Sequence, residues 1–377
     1  SPYTRFKENG MKRHLIIICL AAALCIVLSA CTKPIENVRS YENVSEIPAE
    51  STDASLAEKT DDSSAQAQSG HVEKTLSSGV KVDADVYVPE SMQKSALAEM
   101  RGQGQLIDYE ELKSLFCSGK TITEEGEEPW EMVTPGAMEA VGKYVSTQDG
   151  DYLQRICGNT FYYMTERDIQ DIEDLTIYET GKNLDFASIE ETDKTIRDIA
   201  EKLNIAVGKG VCYTIDTSSQ PHYVFQYEIL VNGMPLAMFD GGSYSGDAYV
   251  PGTYMTAVVD ADGIRHYDAS YVLEELESGE SKKVLTLDEA LQAVDDKYNS
   301  VIMEGEYFID DIQMAYTPVQ TEETGIVRLI PVWYFQTTHQ ILLPDKSGTG
   351  EIMLPQDGYI LINALDGTEL LHSNGEI

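Results

Sequence analysis

The side chains best able to do chemistry in this chain are its cysteines and histidines, and their spacing gives them little to work with. Beyond residue 31 the thiols are Cys117, Cys157 and Cys212, which can form at most one disulfide. Cys212 and His222 could be drawn as a nucleophile and base, but no family signature surrounds either. The six histidines (His14, His71, His222, His266, His339 and His372) show no His-x-x-x-His or Cys-x-x-Cys spacing, so no metal centre is expected. Asp262-Gly263 superficially suggests a calcium loop. Such a loop would need an acidic ligand at position 258 and a glutamate at 269, where the chain has Val258 and Ala269. Asp240 to Gly246 is glycine-rich but lacks the lysine of a phosphate loop, and Gly-x-Ser-x-Gly is absent. No catalytic residue, metal or cofactor is therefore expected. With 64 acidic residues, pairing two of them as glycosidase carboxylates would be arbitrary.

One cysteine does have a defined context. Met11-Lys12-Arg13 opens a basic segment, and Leu15 to Leu28 is an almost unbroken apolar run. That run is short for a bilayer-crossing helix, which needs about 20 residues, but it suits the core of a signal peptide. It ends in Leu28-Ser29-Ala30-Cys31, which resembles a bacterial lipobox. The resemblance implies cleavage between Ala30 and Cys31 and diacylation of the Cys31 thiol. Residues 1–10 then read as an upstream extension, 11–30 as the signal peptide and 31–71 as a flexible acidic tether poor in apolar side chains. The expected location is the extracytoplasmic face of a cell membrane, held there by lipid. The formal charge of −37 argues against nucleic acid as a partner and sets the folded part off from anionic headgroups.

The remaining pattern concerns the elements that would position any site. Val80, Val82, Ala84, Val86 and Val88 alternate with polar residues, as in a half-buried strand. Tyr109 to Cys117 has helical spacing and Gly119 follows it; Pro135 to Val145 reads as a second helix, acidic Thr121 to Trp130 as a loop, and Phe161 to Met164 as a strand. Ser188-Ile-Glu-Glu191 and Thr286-Leu-Asp-Glu289 are both capping boxes, each opening an amphipathic helix. After each come strand-like runs, Tyr223 to Val231 in one half, Tyr307 to Tyr316 and Arg328 to Thr337 in the other. Each half closes on an aliphatic strand and an Asp-Gly turn at Asp262 and Asp366, where both turn positions favour positive φ. The expected fold is α+β: antiparallel sheets each packed with a helix, an N-terminal unit over 72–180, and two related lobes over 181–280 and 281–377.

Helix, antiparallel strands and a last strand ending Val-Asp-Ala-Asp-Gly (259–263) or Ile-Asn-Ala-Leu-Asp-Gly (362–367) resemble the PepSY and YycI-like modules of bacterial envelope proteins. Ile330-Pro331-Val332-Trp333-Tyr334-Phe335 is similar to the Pro-x-Trp-x-Phe strand of the YycI-like group, and Ile341 to Gly358 is an insert relative to a minimal module. The chain as a whole is similar to uncharacterised lipoproteins of clostridial Firmicutes, a domain-of-unknown-function family. These resemblances imply a non-enzymatic envelope protein that restrains a protease or sensor by contact, and they carry no catalytic residues with them.

Tyrosine is the one excess, 22 against 8 Phe and 2 Trp. Its large contact area and polar tip suit recognition, although strands also carry it routinely. Tyr244, Tyr249 and Tyr254 near the glycine-rich loop, with Trp333, form the candidate interaction surface. The leading expectation is a surface lipoprotein that binds another envelope protein. A solute-binding lipoprotein of a transporter and a cell-wall hydrolase are the alternatives.

Overall fold

The computed structural model describes residues 69–130, 134–166, 179–216, 220–239, 242–245, 248–300, 305–344 and 351–373. Ala30 and Cys31, with the rest of the signal peptide and nearly all of the tether, lie outside these residues. Strands β1 (Gly70–Thr75), β2 (Lys81–Tyr87) and β3 (Ala96–Gly104) precede helix α1 (Tyr109–Cys117). Next come β4 (Ile122–Pro129), β5 (Val141–Thr147), β6 (Tyr152–Ile156), β7 (Thr160–Met164) and β8 (Glu179–Thr180), then α2 (Ile189–Lys202). They are followed by β9 (Val207–Ile215), β10 (His222–Val231), β11 (Met234–Pro235), β12 (Gly242–Ser245), β13 (Ala248–Pro251), β14 (Tyr254–Asp260), β15 (Gly263–Ser270) and β16 (Leu273–Lys283). Helix α3 (Leu287–Asn299), β17 (Glu306–Gln320), β18 (Ile326–Pro344), β19 (Glu351–Asn363) and β20 (Glu369–Ser373) complete the order. The described residues are mostly β, with three α-helices.

Local chemistry explains where the helices begin. The Asp108 carboxylate accepts from the Glu110 and Glu111 amides at 2.8 and 3.3 Å, satisfying two donors that a helix start leaves orphaned. Ser188 and Thr286 each form the complete reciprocal box, their hydroxyls on the N3 amides and the Glu191 and Glu289 carboxylates reaching back to the cap amides. Each helix buries one apolar face, with Ile189, Ile196 and Ala200 on α2 and Ala290, Leu291, Val294 and Tyr298 on α3.

The strands form two large sheets and a small hairpin, β12–β13. One sheet runs β4-β5-β6-β7-β15-β14-β10-β9-β8 with β11 attached to β10; the other runs β1-β2-β17-β18-β19-β20, with β3 on β18 and β16 on β3. The named strand pairs are antiparallel except β2–β17. Residues 72–180 therefore do not make a sheet of their own. Strands β1–β3 extend one large sheet and β4–β7 the other.

Two local expectations fail for physical reasons. Glutamate-rich 122–129 is not a loop but the edge strand β4, where charge blocks further strand addition. Pro135 to Val145 is not a helix: Gly136 turns at φ 70° and the chain enters β5 at Val141. The Asp-Gly hairpin is present, but its two-residue turn is Ala261-Asp262 and only Gly263 has positive φ, 107°. In the second turn Gly367 has φ 79° and donates to the Asn363 carbonyl at 2.9 Å.

A single hydrophobic cluster gathers buried side chains from both large sheets and all three helices. Tyrosine hydroxyls tie it together: Tyr267 donates to the Ile196 carbonyl at 3.0 Å and Tyr227 to Asp193 at 2.7 Å, joining α2 to β15 and β10. The Asp295 carboxylate of α3 accepts from Ser77 Oγ at 2.6 Å and the Ser78 amide at 2.7 Å, which grips the β1–β2 turn. These hydrogen bonds hold its pKa down at about 2. A smaller core lies where Ala237, Phe239 and Val250 cover Val332, Tyr334 and Leu361 on β18 and β19.

Candidate interaction surface

Alternation along a strand puts successive side chains on opposite faces, so cross-strand register shows what each face presents. In the ten-stranded sheet, Val145, Leu153, Phe161, Tyr267 and Ala257 are buried and face the main core. The positions between them form two rows on the opposite face. One row pairs Tyr144 with Gln154, Gln154 with Tyr162, Tyr162 with Asp268 and Asp268 with Thr256. The other pairs Ser146 with Tyr152, Tyr152 with Met164, Met164 with His266 and His266 with Val258. Most of these residues are only partly buried, and the hydrogen bonds from α2 fall on the other side of the sheet.

Three tyrosines zigzag across this face, Tyr144 and Tyr162 in the first row and Tyr152 between them in the second. The Tyr144 and Tyr152 rings lie 6.4 Å apart at 18°, and those of Tyr152 and Tyr162 lie 5.7 Å apart at 33°. Their hydroxyls form a directed chain. Tyr152 bonds to the Tyr162 hydroxyl, Tyr162 donates to Gln154 Oε1, and Gln154 Nε2 donates to Glu128 at 2.6 Å. Tyr144 donates to Glu124 at 3.2 Å. Burial pushes the Tyr162 phenol up to about 12, and it raises Tyr152 and Tyr144 too, with Glu124 adding to the effect at Tyr144. All three phenols thus stay protonated in neutral solution. With each hydroxyl hydrogen already committed, the face presents aromatic area and two acceptor carboxylates.

The tyrosine positions expected from the sequence are divided. Tyr254 belongs to this face, one rung beyond Thr256, because Met255 and Ala257 on either side of Thr256 point into the core. Tyr249 is hydrogen-bonded to Tyr271, and it stacks obliquely on Tyr244 across the β12–β13 hairpin with centroids 5.3 Å apart. Tyr244 is 65% exposed. Trp333 is a correction: it is fully buried, and its indole Nε1 donates to the Leu285 carbonyl at 3.0 Å. It anchors the chain entering α3 against β18 and cannot line a surface. Sequence reasoning missed Tyr144, Tyr152 and Tyr162. Alternation sorts each onto one side of its own strand, and the β5–β6–β7 register is what brings the three together.

Cys117, Cys157 and Cys212 are buried free thiols. Burial, with Asp193 nearby, pushes the Cys212 thiol up to about 12, which removes the thiolate a nucleophile needs. A recess of about 520 Å³ between β3, β16 and β18 contains Arg101 and Arg328, but both are already bound to carboxylates. Arg101 holds Glu323 at 2.6 Å, and Arg328 holds Glu99 through two contacts of 2.5 and 2.8 Å.

No protein-family model matches the chain, and no curated protein does. Its fold is similar to that of an uncharacterized protein from Eubacterium rectale, known from a crystal structure at 1.45 Å. The TM-score is 0.61 at 15% identity, over 77% of this chain and 90% of that one. At that identity the likeness concerns the fold alone. Among the described residues no helix is long and apolar enough to cross a membrane.

Proposed function

We propose that this protein is a non-enzymatic cell-surface lipoprotein that binds another envelope protein, a protease or a sensor, through the tyrosine face of its ten-stranded sheet. Cleavage after Ala30 and diacylation at Cys31 attach it to the extracytoplasmic side of the membrane, and the acidic segment 31–71 sets it off from the headgroups. The observation that carries this reading is the Tyr144–Tyr152–Tyr162 ladder on the side of the sheet turned away from the main core. Large, half-buried tyrosines with satisfied hydroxyls supply contact area at little entropic cost.

The finer architecture is part of the same proposal. Residues 181–280 and 281–377 are two related lobes of PepSY or YycI type, each pairing a capping-box helix with an antiparallel sheet. The matching boxes at Ser188 and Thr286 support this, as do the closing hairpins that follow β14 and β19.

The test places a photo-crosslinking benzoylphenylalanine at position 144 or 152 of the full chain in its native cells. A control copy carries it at Glu201, an exposed site on α2. Adducts to one membrane protein are expected from 144 and 152 and not from 201, and Cys31→Ala should abolish incorporation of radiolabelled fatty acid into the protein. Equal labelling from all three sites would remove the face from the proposal. Fatty-acid incorporation that persists in Cys31→Ala would remove the anchor.

A further inference from the structure

Strand β4 carries four glutamates in two pairs that face opposite ways. Glu125 and Glu127 lie on one side, where Lys113 holds Glu125 at 2.7 Å and Lys143 holds Glu127 at 3.0 Å. Glu124 and Glu128 lie on the tyrosine face. Among the described residues no cation pairs with either; their partners are the neutral Tyr144 hydroxyl and the neutral Gln154 amide. No lysine or arginine occupies a tyrosine-face position on β5, β6 or β7, since those positions are Gly142, Tyr144, Ser146, Tyr152, Gln154, Ile156, Thr160, Tyr162 and Met164. The same strand is therefore neutralised on its core side and left negative on its open side.

We infer that the occupant of this face is a polypeptide segment bearing lysine or arginine, its cation received between the Tyr144 and Tyr152 rings and the Glu124 and Glu128 carboxylates. The inference rests on the docking reading above and adds the chemistry of the partner. A cation is attracted to the face of an aromatic ring and to a carboxylate by separate interactions, and here both lie side by side. An apolar segment would bury Glu124 and Glu128 without compensation, and an anionic surface would be repelled by them. An arginine is favoured further by its planar fork, which can stack on one ring while bonding two acceptors.

The probe is an oligo-arginine decapeptide titrated into the full chain by calorimetry at low salt. Because the whole protein is acidic, net charge must be separated from the site. Glu124→Gln/Glu128→Gln is compared with Asp198→Asn/Glu201→Gln, the same charge change on exposed residues of α2. Tyr144→Ser/Tyr152→Ser leaves the charge untouched, and circular dichroism verifies that each variant folds. Affinity is expected to fall about tenfold in the first and third variants and to stay within about twofold in the second, since a desolvated cation–π and carboxylate site contributes locally. Equal losses in the two charge variants, or wild-type affinity in the tyrosine variant, would overturn the inference. Should the crosslinks at 144 and 152 form while the peptides they capture lack lysine and arginine, this inference fails and the docking reading survives.

Discussion

Trp333→Ala should lower the free energy of unfolding of the full chain by about 4 kcal/mol, the typical cost of truncating a buried tryptophan to a methyl group. The indole is fully buried and belongs to the main hydrophobic cluster. Its removal leaves a cavity that surrounding strands cannot close, because β18 is fixed on both sides by β17 and β19 over long registers. It also orphans the Leu285 carbonyl, which accepts the indole N–H at 3.0 Å just before α3 begins. Since domains are stable by only about 5–15 kcal/mol, the urea midpoint should fall sharply. Tyr244→Ala, at a side chain 65% exposed, should stay within about 0.5 kcal/mol of the parent. The pair of measurements separates two aromatic residues that the sequence alone placed on one surface. A Trp333→Ala protein with the parent's midpoint would mean that β18 is not buried as described.

What could be read in the sequence was local. The capping boxes at Ser188 and Thr286 need only residues three apart, and both formed as expected. The alternation from Val80 to Val88 is also a short-range pattern, and β2 follows it. What failed depends on partners far along the chain. Strand β2 lies parallel to β17, more than two hundred residues away, so the division of residues 72–180 between two sheets has no short-range signature. Glu124 to Glu128 resemble a loop because strands seldom tolerate so much charge, yet an edge strand gains from it. Trp333 was misplaced for a related reason. Aromatic residues in a strand suit a core and a binding surface equally, and only the two faces of the finished sheet distinguish them. The tyrosine ladder shows the converse. Tyr144, Tyr152 and Tyr162 are single residues on separate strands, and they become one feature only through the β5–β6–β7 register.

Glu228→Gln should change how stability depends on pH more than any surface substitution. This carboxylate is 5% exposed where β10 meets β17, accepting from the Gln313 side-chain amide and from the Lys209 backbone amide at 3.2 Å. Burial outweighs these bonds and the Lys209 charge, while Asp311 opposes ionisation as well, so the pKa rises from 4.5 to about 7. The folded protein therefore holds a proton that the unfolded chain has already released between these two values. Stability contributed by the neutral carboxyl is full below pH 4.5 and is lost as pH climbs through about 7. Above that, an ionised carboxylate in this position costs about 3 kcal/mol. Glutamine stays neutral at every pH, and a flip of the Gln313 amide lets the two side chains remain paired. The variant should match the parent near pH 5 and exceed it in stability by about 3 kcal/mol near pH 8.5, when urea unfolding is compared at each pH. Taking the difference between the two proteins cancels the mutual repulsion of the other carboxylates, which shifts with pH in both. A difference that stayed constant from pH 5 to 8.5 would show that Glu228 ionises like an exposed glutamate and that the contact between β10 and β17 is open to water.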